Sequence, residues 1–289
     1  MQRAISTYLF RHAPLGGRVL DQIAKAGFGQ VELYCSRPHF DYTNPDQKRE
    51  IANWFLGSSV KLLSVHAPLS REPVETSHHG VVSIAYLERH RREDSMDEIK
   101  RALELAELVP FRYLILHLGV VGEQYDQRKF DAALTCLEHL RLFAGQRGVQ
   151  ILLENIPNDL SRPPRLLEFF HHTHLHDLKV CFDAGHALLD GSVLEAMNLL
   201  RDYLAAAHVH DNDGDRDEHC FPFEGKIPWK ETIQGFRRLH PSAPLVLEVR
   251  DGEPVGPNLE KAAQVFDQFQ RIWEEADGPA DGPTDGPAQ

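Results

Sequence analysis

Cysteine is scarce: Cys35, Cys136, Cys181 and Cys220 are the only four in 289 residues, and no two of them form a CxxC pair. That excludes a disulfide framework and a cysteine-based zinc knot, and makes a reducing cytoplasm the expected setting. Long apolar runs are also missing. No stretch approaches the ~20 residues that cross a bilayer, so no membrane association is expected. Met1 to Phe10 carries one arginine and an apolar patch but no small-residue cleavage site, and does not read as a secretory signal. Positive charge is in deficit, with a net charge of −12. This makes nucleic acid an unexpected partner, although a local basic groove can sit on an acidic molecule. No glycine-rich phosphate turn follows the first apolar run, since Gly16-Gly17 is not the dinucleotide fingerprint. A doubly wound open sheet thereby loses its main support.

What the chain does have is rhythm. Short β-rich runs alternate with amphipathic helical stretches, the pattern of a parallel α/β sheet. The predicted strands are AISTYLF from Ala4, QVELY from Gln30, KLLSVH from Lys61, YLILH from Tyr113, ILLE from Ile151, KVCFD from Lys179, LAAAHVH from Leu204 and PLVLEV from Pro244. Segments such as DQKREIANWFL, DEIKRALELAELV and RKFDAALTCLEHLRLFAGQRG lie between them, punctuated by Gly27, Gly148 and Gly191. Eight such repeats closed on themselves predict a single (β/α)8 barrel over residues 1–276. Two segments break the rhythm. Ser70 to Asp94 is a long connection holding His78, His79 and the basic run Arg89-His90-Arg91-Arg92, either a lid over the active face or a solvated loop. Residues 277–289 belong to a tail of DGPA-DGPT-DGPA repeats that has nothing apolar to bury and is expected to be disordered.

In a barrel, chemistry comes from the carboxyl ends of the strands. The third and fourth predicted strands end in His66 and His117, the fifth in Glu154, and the sixth in Asp183 with His186 one turn later. The seventh ends in His208 and His210, followed by Asp211, Asp217 and His219, and the eighth in Glu248. Carboxylates gathered at one place repel one another and are costly to desolvate unless a cation balances them. Mixed His and carboxylate donors suit Zn, Mn or Co, with Mg an option if carboxylates dominate. Glu154, Asp183, His208 and Glu248 are the leading metal candidates. Strand alternation points His208 and His210 to the same side, where they compete for one role. Glu32 is expected to line the pocket from the second strand, Trp229 or Phe223 to close it, and Arg11 and His12 to sit at its edge. His171, His172, His174 and His176 precede the sixth strand and fall at the opposite end of the barrel.

These residues resemble the xylose isomerase-like barrel superfamily, which joins sugar isomerases and epimerases to endonuclease IV-type nucleases of AP endonuclease family 2. The resemblance runs from about Ala4 to Trp273 and rests on SVHAP, LLEN, CFDAGH, HVHDNDG…DEH…PFEGKIPW and LEVR. The epimerase branch implies one divalent ion on Glu154, Asp183, His208 and Glu248, with His186 contacting substrate; His210 is a further candidate for substrate contact. The nuclease branch implies three zinc ions on His66, His117, Glu154, Asp183, His186, His208, Asp217, His219 and Glu248. His219 stands where several ketose epimerases have arginine. Against the nuclease branch, HVHDN reads HxHD in place of HxND, and STYLFRHAP…GFGQVELYCSRPHFDY lacks the nuclease opening and looks more like proteins described as sugar phosphate isomerase/epimerase. The expected activity is a metal-dependent isomerase or epimerase of a small sugar, with Glu154 and Glu248 moving the proton through an enediolate. The alternative is a multinuclear phosphodiesterase acting on abasic-site DNA or a small phosphate ester. A homo-oligomer paired through exposed helices is open, with no apolar stripe to nominate the contact.

Overall fold

The computed structural model describes residues 2–71, 80–173, 175–250 and 258–275. Eight parallel strands close in sequence order into a barrel, β1 pairing with both β2 and β8. They are β1 (Arg3–Ser6), β2 (Gln30–Tyr34), β3 (Lys61–His66), β4 (Tyr113–His117), β5 (Gln150–Glu154), β6 (Lys179–Asp183), β7 (Leu204–Val209) and β8 (Leu245–Leu247). The outer ring among the described residues is α1 (Gly17–Lys25), α2 (Pro45–Leu56), α3 (Arg89–Leu103), α4 (Gln127–Gly145), α5 (Pro163–Thr173), α6 (Ala184–Leu189), α7 (Val193–Leu200), α8 (Trp229–Leu239) and α9 (Leu259–Glu275). No helix among them is long and apolar enough to cross a membrane. The tail 277–289 lies outside the described residues, as do His78, His79 and His174.

Local chemistry explains the boundaries. Asn44 starts α2 by accepting from Asp46 N (2.9 Å) and Gln47 N (3.3 Å), with Pro45 as the first helical residue. Gly27 and Gly148 turn the chain at φ values of 87° and 71°, which side chains disfavour. Two expectations are corrected. The first strand stops at Ser6, because the Ser6 hydroxyl accepts from Tyr8 N and Thr7–Phe10 coils into a 3-10 turn. The basic run Arg89 to Arg92 is the first turn of α3, not part of the preceding connection; the Arg89–Glu93 ion pair (2.7 Å) sits on the helix's solvent side.

Alternation along the strands sets the site. Ala4, Leu63, Tyr113, Ile115, Leu152, Cys181, Ala206 and Val246 form the core inside the barrel, separate from the larger core between barrel and helices. One more inward position along β4 to β7, and just past β8, are His117, Glu154, Asp183, His208 and Glu248. The ionisable residues therefore form the layer directly above a dry apolar plug.

Below the rim, His39 gives a stability test. It is buried, and its Nδ1–H donates to Ala13 O at 2.6 Å while Nε2 has no partner. Burial pulls its imidazole down to about 4. A folded-state value depressed below the unfolded one means stability is full above about pH 6.5 and drains as pH falls toward 4. The loss attributable to His39 is roughly 3 kcal/mol at the bottom of that window. Urea denaturation across pH 4–7 should show a shallower decline for His39→Asn; parallel curves would exclude His39 as the source.

Candidate metal centre

Among the described residues the strand ends assemble three groups of potential metal ligands, each with donor atoms within 4.8 Å of one another: Glu154, Asp183, His208 and Glu248; His66, His117 and Glu154; and His186, His210, Asp217 and His219. All nine residues of the larger sequence-predicted set are brought together, and His210 joins them. Glu154 belongs to two groups. His208 and His210 fall into different groups. Both face Asp183, but His208 joins the fully buried carboxylate group, whereas His210 lies one residue beyond β7 and joins Asp217 and His219.

Hydrogen bonds fix which nitrogen of each histidine is free. His66, His186 and His219 each donate Nδ1–H to a backbone carbonyl, that of Ala67 (2.9 Å), Asn155 (3.0 Å) and Glu248 (2.9 Å) respectively. In the neutral ring this leaves Nε2 as the lone-pair donor. In His208 the roles are reversed: Nε2–H donates to Glu32 Oε2 at 3.1 Å. Its Nδ1 is buried without a hydrogen bond, 3.2 Å from Glu248 Oε2, 3.5 Å from Glu154 Oε1 and 3.8 Å from Asp183 Oδ2. An imidazole lone pair buried among three carboxylates is an arrangement that a cation resolves. The donor set therefore fits a divalent ion, and the mixture of nitrogen and oxygen suits Zn, Mn or Co.

The electrostatics agree. Burial alone would depress His66, His186 and His208, yet the surrounding acidic groups, carboxylates at His66 and His186 and Cys181 followed by carboxylates at His208, outweigh it, lifting His66 to about 9 and the other two well above the usual imidazole range. Burial likewise works against Glu154, Glu248 and Asp217, and the neighbouring histidines overcome it and hold all three carboxyls well below normal. His117 and His219 shift the other way, because burial prevails. The pocket is thus a well of negative potential that takes up protons when it has no other cation.

Several residues important to the site have partners that only the folded chain brings near. Asn155 ties β5 to β6 in both directions, donating to Asp183 O (2.9 Å) and accepting from Asp183 N (2.8 Å). Asp183 also caps α6 by accepting from His186 N at 2.7 Å. Asp211 organises the long β7–α8 connection: its carboxylate accepts from Asn212 N, Phe223 N, Ile227 N and Trp229 Nε1 at 2.7–3.1 Å. Two glycines of the sequence motifs are spatial necessities. A Cβ on Gly185 would lie 2.0 Å from the His210 ring, and one on Gly225 would lie 2.2 Å from Asn212 O.

Two sequence-predicted substrate contacts sit elsewhere. Glu32 does not line the pocket; it is completely buried beneath it, bonded to His208 and Ser64 Oγ (2.8 Å). Trp229 is buried against Asp211 and Phe269, so it does not close the pocket, and Phe223 packs on the same pair of rings. His171 and His172 close α5 on the surface. The pocket is a cleft of about 650 Å³ whose floor includes His66, Glu154, His186, Asp217 and Glu248. Its wall carries Tyr8, Tyr34, Arg11 and Arg250. Tyr8 reaches it because of the 3-10 turn after β1, so the strand reading of that segment concealed it.

Comparison with known proteins follows the same lines. A fructoselysine 3-epimerase of Escherichia coli O157:H7 is 23% identical over 233 residues, 73% of this chain and 77% of that protein. A D-tagatose 3-epimerase-like protein superposes with a TM-score of 0.79 at 22% identity, covering 96% of this chain and 99% of the other. The IolI protein, solved with a bound zinc atom, superposes with a TM-score of 0.77 at 17% identity over 95% and 99% of the two chains. The family model described as the xylose isomerase-like TIM barrel matches residues 20–270, and the chain belongs to that family.

Proposed function

We propose that the chain is a divalent-metal-dependent isomerase or epimerase of a sugar or sugar derivative. One observation carries this reading: the unpartnered Nδ1 of His208 lies between the carboxylates of Glu154 and Glu248, which come from opposite ends of the β5-to-β8 arc. Glu154, Asp183, His208 and Glu248 would hold the ion. Bound there, it would polarise a substrate carbonyl and the adjacent hydroxyl and lower the cost of an enediolate. Glu154 and Glu248 are both kept ionised by the histidines around them, the state needed to take a proton from carbon. Placed on two flanks, one removes the proton and the other returns it. His186, anchored through Nδ1, turns Nε2 toward the cleft and orients a substrate hydroxyl. The epimerases among the relatives support this reading, as does the zinc bound by IolI.

A second reading is a multinuclear phosphodiesterase. The sharing of Glu154 by two ligand groups, with a third group beside them, favours it. Ion counting on protein purified without chelator, combined with ketose turnover in D2O, separates the two. The isomerase predicts one tightly held ion and deuterium uptake beside the carbonyl. Glu154→Gln and Glu248→Gln should each lower turnover about 10²–10⁴-fold. Full turnover in both variants would sink the assignment. Three ions per chain with nicking of abasic-site DNA would replace it with the second reading.

A further inference from the structure

The segment LEVR that ends the barrel carries two residues of opposite charge, Glu248 and Arg250, and only Glu248 belongs to a ligand group. Arg250 is fixed against the β7–α8 connection: its backbone N–H donates to His219 O at 2.8 Å and its Nη2 to Asp217 O at 3.1 Å. The same Nη2 lies 3.9 Å from Asp217 Oδ2. That oxygen is also the one turned toward the histidines of its own group, 3.1 Å from His219 Nε2 and 3.5 Å from His186 Nε2. The one carboxylate of the His186, His210, Asp217 and His219 group therefore faces a guanidinium as well as imidazoles.

The four-residue group is built differently. Glu154, Asp183 and Glu248 pair with histidines. An imidazole gives up its proton, and with it its charge, when a metal takes the nitrogen, whereas a guanidinium stays charged. A cation entering the four-residue group meets three carboxylates and displaceable protons. One entering the Asp217 group meets a single carboxylate beside a permanent positive charge. Repulsion from that charge falls on a divalent ion twice as heavily as on a proton, in a cleft that screens less than bulk water.

We propose that Arg250 sets the number of ions the centre holds: its guanidinium keeps a second divalent cation off the Asp217 group, and the tightly held ion is the one on Glu154, Asp183, His208 and Glu248. The inference rests on the reading of those four residues as the metal site of a one-ion isomerase. It also leaves His186 without metal and able to meet a substrate, as that reading requires.

The test is ion counting, not turnover. Protein purified without chelator is analysed for bound zinc by mass spectrometry and then titrated with zinc by calorimetry. Wild type should hold one ion, and a second should bind it at least about tenfold more weakly than it binds Arg250→Gln. Arg250→Lys, which keeps the charge but loses the fork, should behave as wild type. Adding Asp217→Asn to Arg250→Gln should abolish the gained site. Equal second-ion affinity in wild type and Arg250→Gln, the same gain in Arg250→Lys, or a gain that survives Asp217→Asn would each overturn the proposal. So would weaker binding in Arg250→Gln, which would make Arg250 a strut for the connection and not a source of repulsion. The isomerase reading fails separately, through absent deuterium uptake in wild type, and an ion gained by Arg250→Gln is measurable whether or not uptake occurs.

Discussion

Glu154→Gln protein, prepared in parallel with wild type and without chelator, is expected to retain little of the bound metal. Glu154 is the only residue common to two of the three ligand groups. One of its oxygens, Oε2, lies 3.1 Å from His117 Nε2 and 3.3 Å from His66 Nε2; the other, Oε1, lies 3.3 Å from His186 Nδ1 and 3.5 Å from His208 Nδ1. An amide of the same shape keeps one acceptor oxygen but loses the charge, and its NH2 has no lone pair to offer a cation. Changing a residue that merely orients a ligand weakens metal binding about 10–100-fold, and removal of a shared ligand should exceed that range. Competition against a chelator of known affinity measures the effect directly. Wild-type affinity in the variant would show that neither group containing Glu154 is the metal site.

The second large effect is expected at Asp211, which no reading of the strand ends nominates as a ligand. Its side chain is completely buried and collects four donors from residues 212, 223, 227 and 229. Asp211→Ala leaves those donors buried without acceptors, at a cost of at least about 3 kcal/mol. The connection it organises also delivers Asp217 and His219, and His219 holds a φ of 49° that ordinary residues avoid. Urea denaturation should show the full loss of stability. A change below about 1 kcal/mol would mean that the connection is held by something other than this carboxylate.

The barrel was legible because its signal is periodic. Strand and helix alternation survives in any sequence that must bury one face of each element, and closure follows from eight repeats. The layer of ligands was legible for a related reason. His117, Glu154 and Asp183 stand at the last positions of short apolar runs and His208 one short of the end of β7, where a charge has no packing role. Residues whose meaning depends on a distant partner were not readable in the same way. Glu32 looks like a pocket residue until His208 is found above it, 176 positions away in the chain. Trp229 looks like a lid until Asp211 claims its indole N–H. Tyr8 was hidden by a hydroxyl cap that ends the strand two residues earlier, and the arginine-rich start of α3 by its lack of an apolar face.

The uneven length of the strands bears on how the four-residue group meets a cation. Glu154, Asp183 and His208 each lie within a strand whose register is paired, Glu154 opposite Cys181 and Asp183 opposite His208. Asn155 further clamps two of these strands together. Glu248 lies just past the three residues of β8, its N–H donating to Val209 O at 3.3 Å and its carbonyl accepting from His219 Nδ1 at 2.9 Å. Three of the four candidate ligands thus sit within paired strands, and the fourth sits beyond them on the β7–α8 connection's hydrogen bond. An ion held by these four would meet three ligands fixed by the strand ladder and one, Glu248, whose position depends on the connection that carries His219.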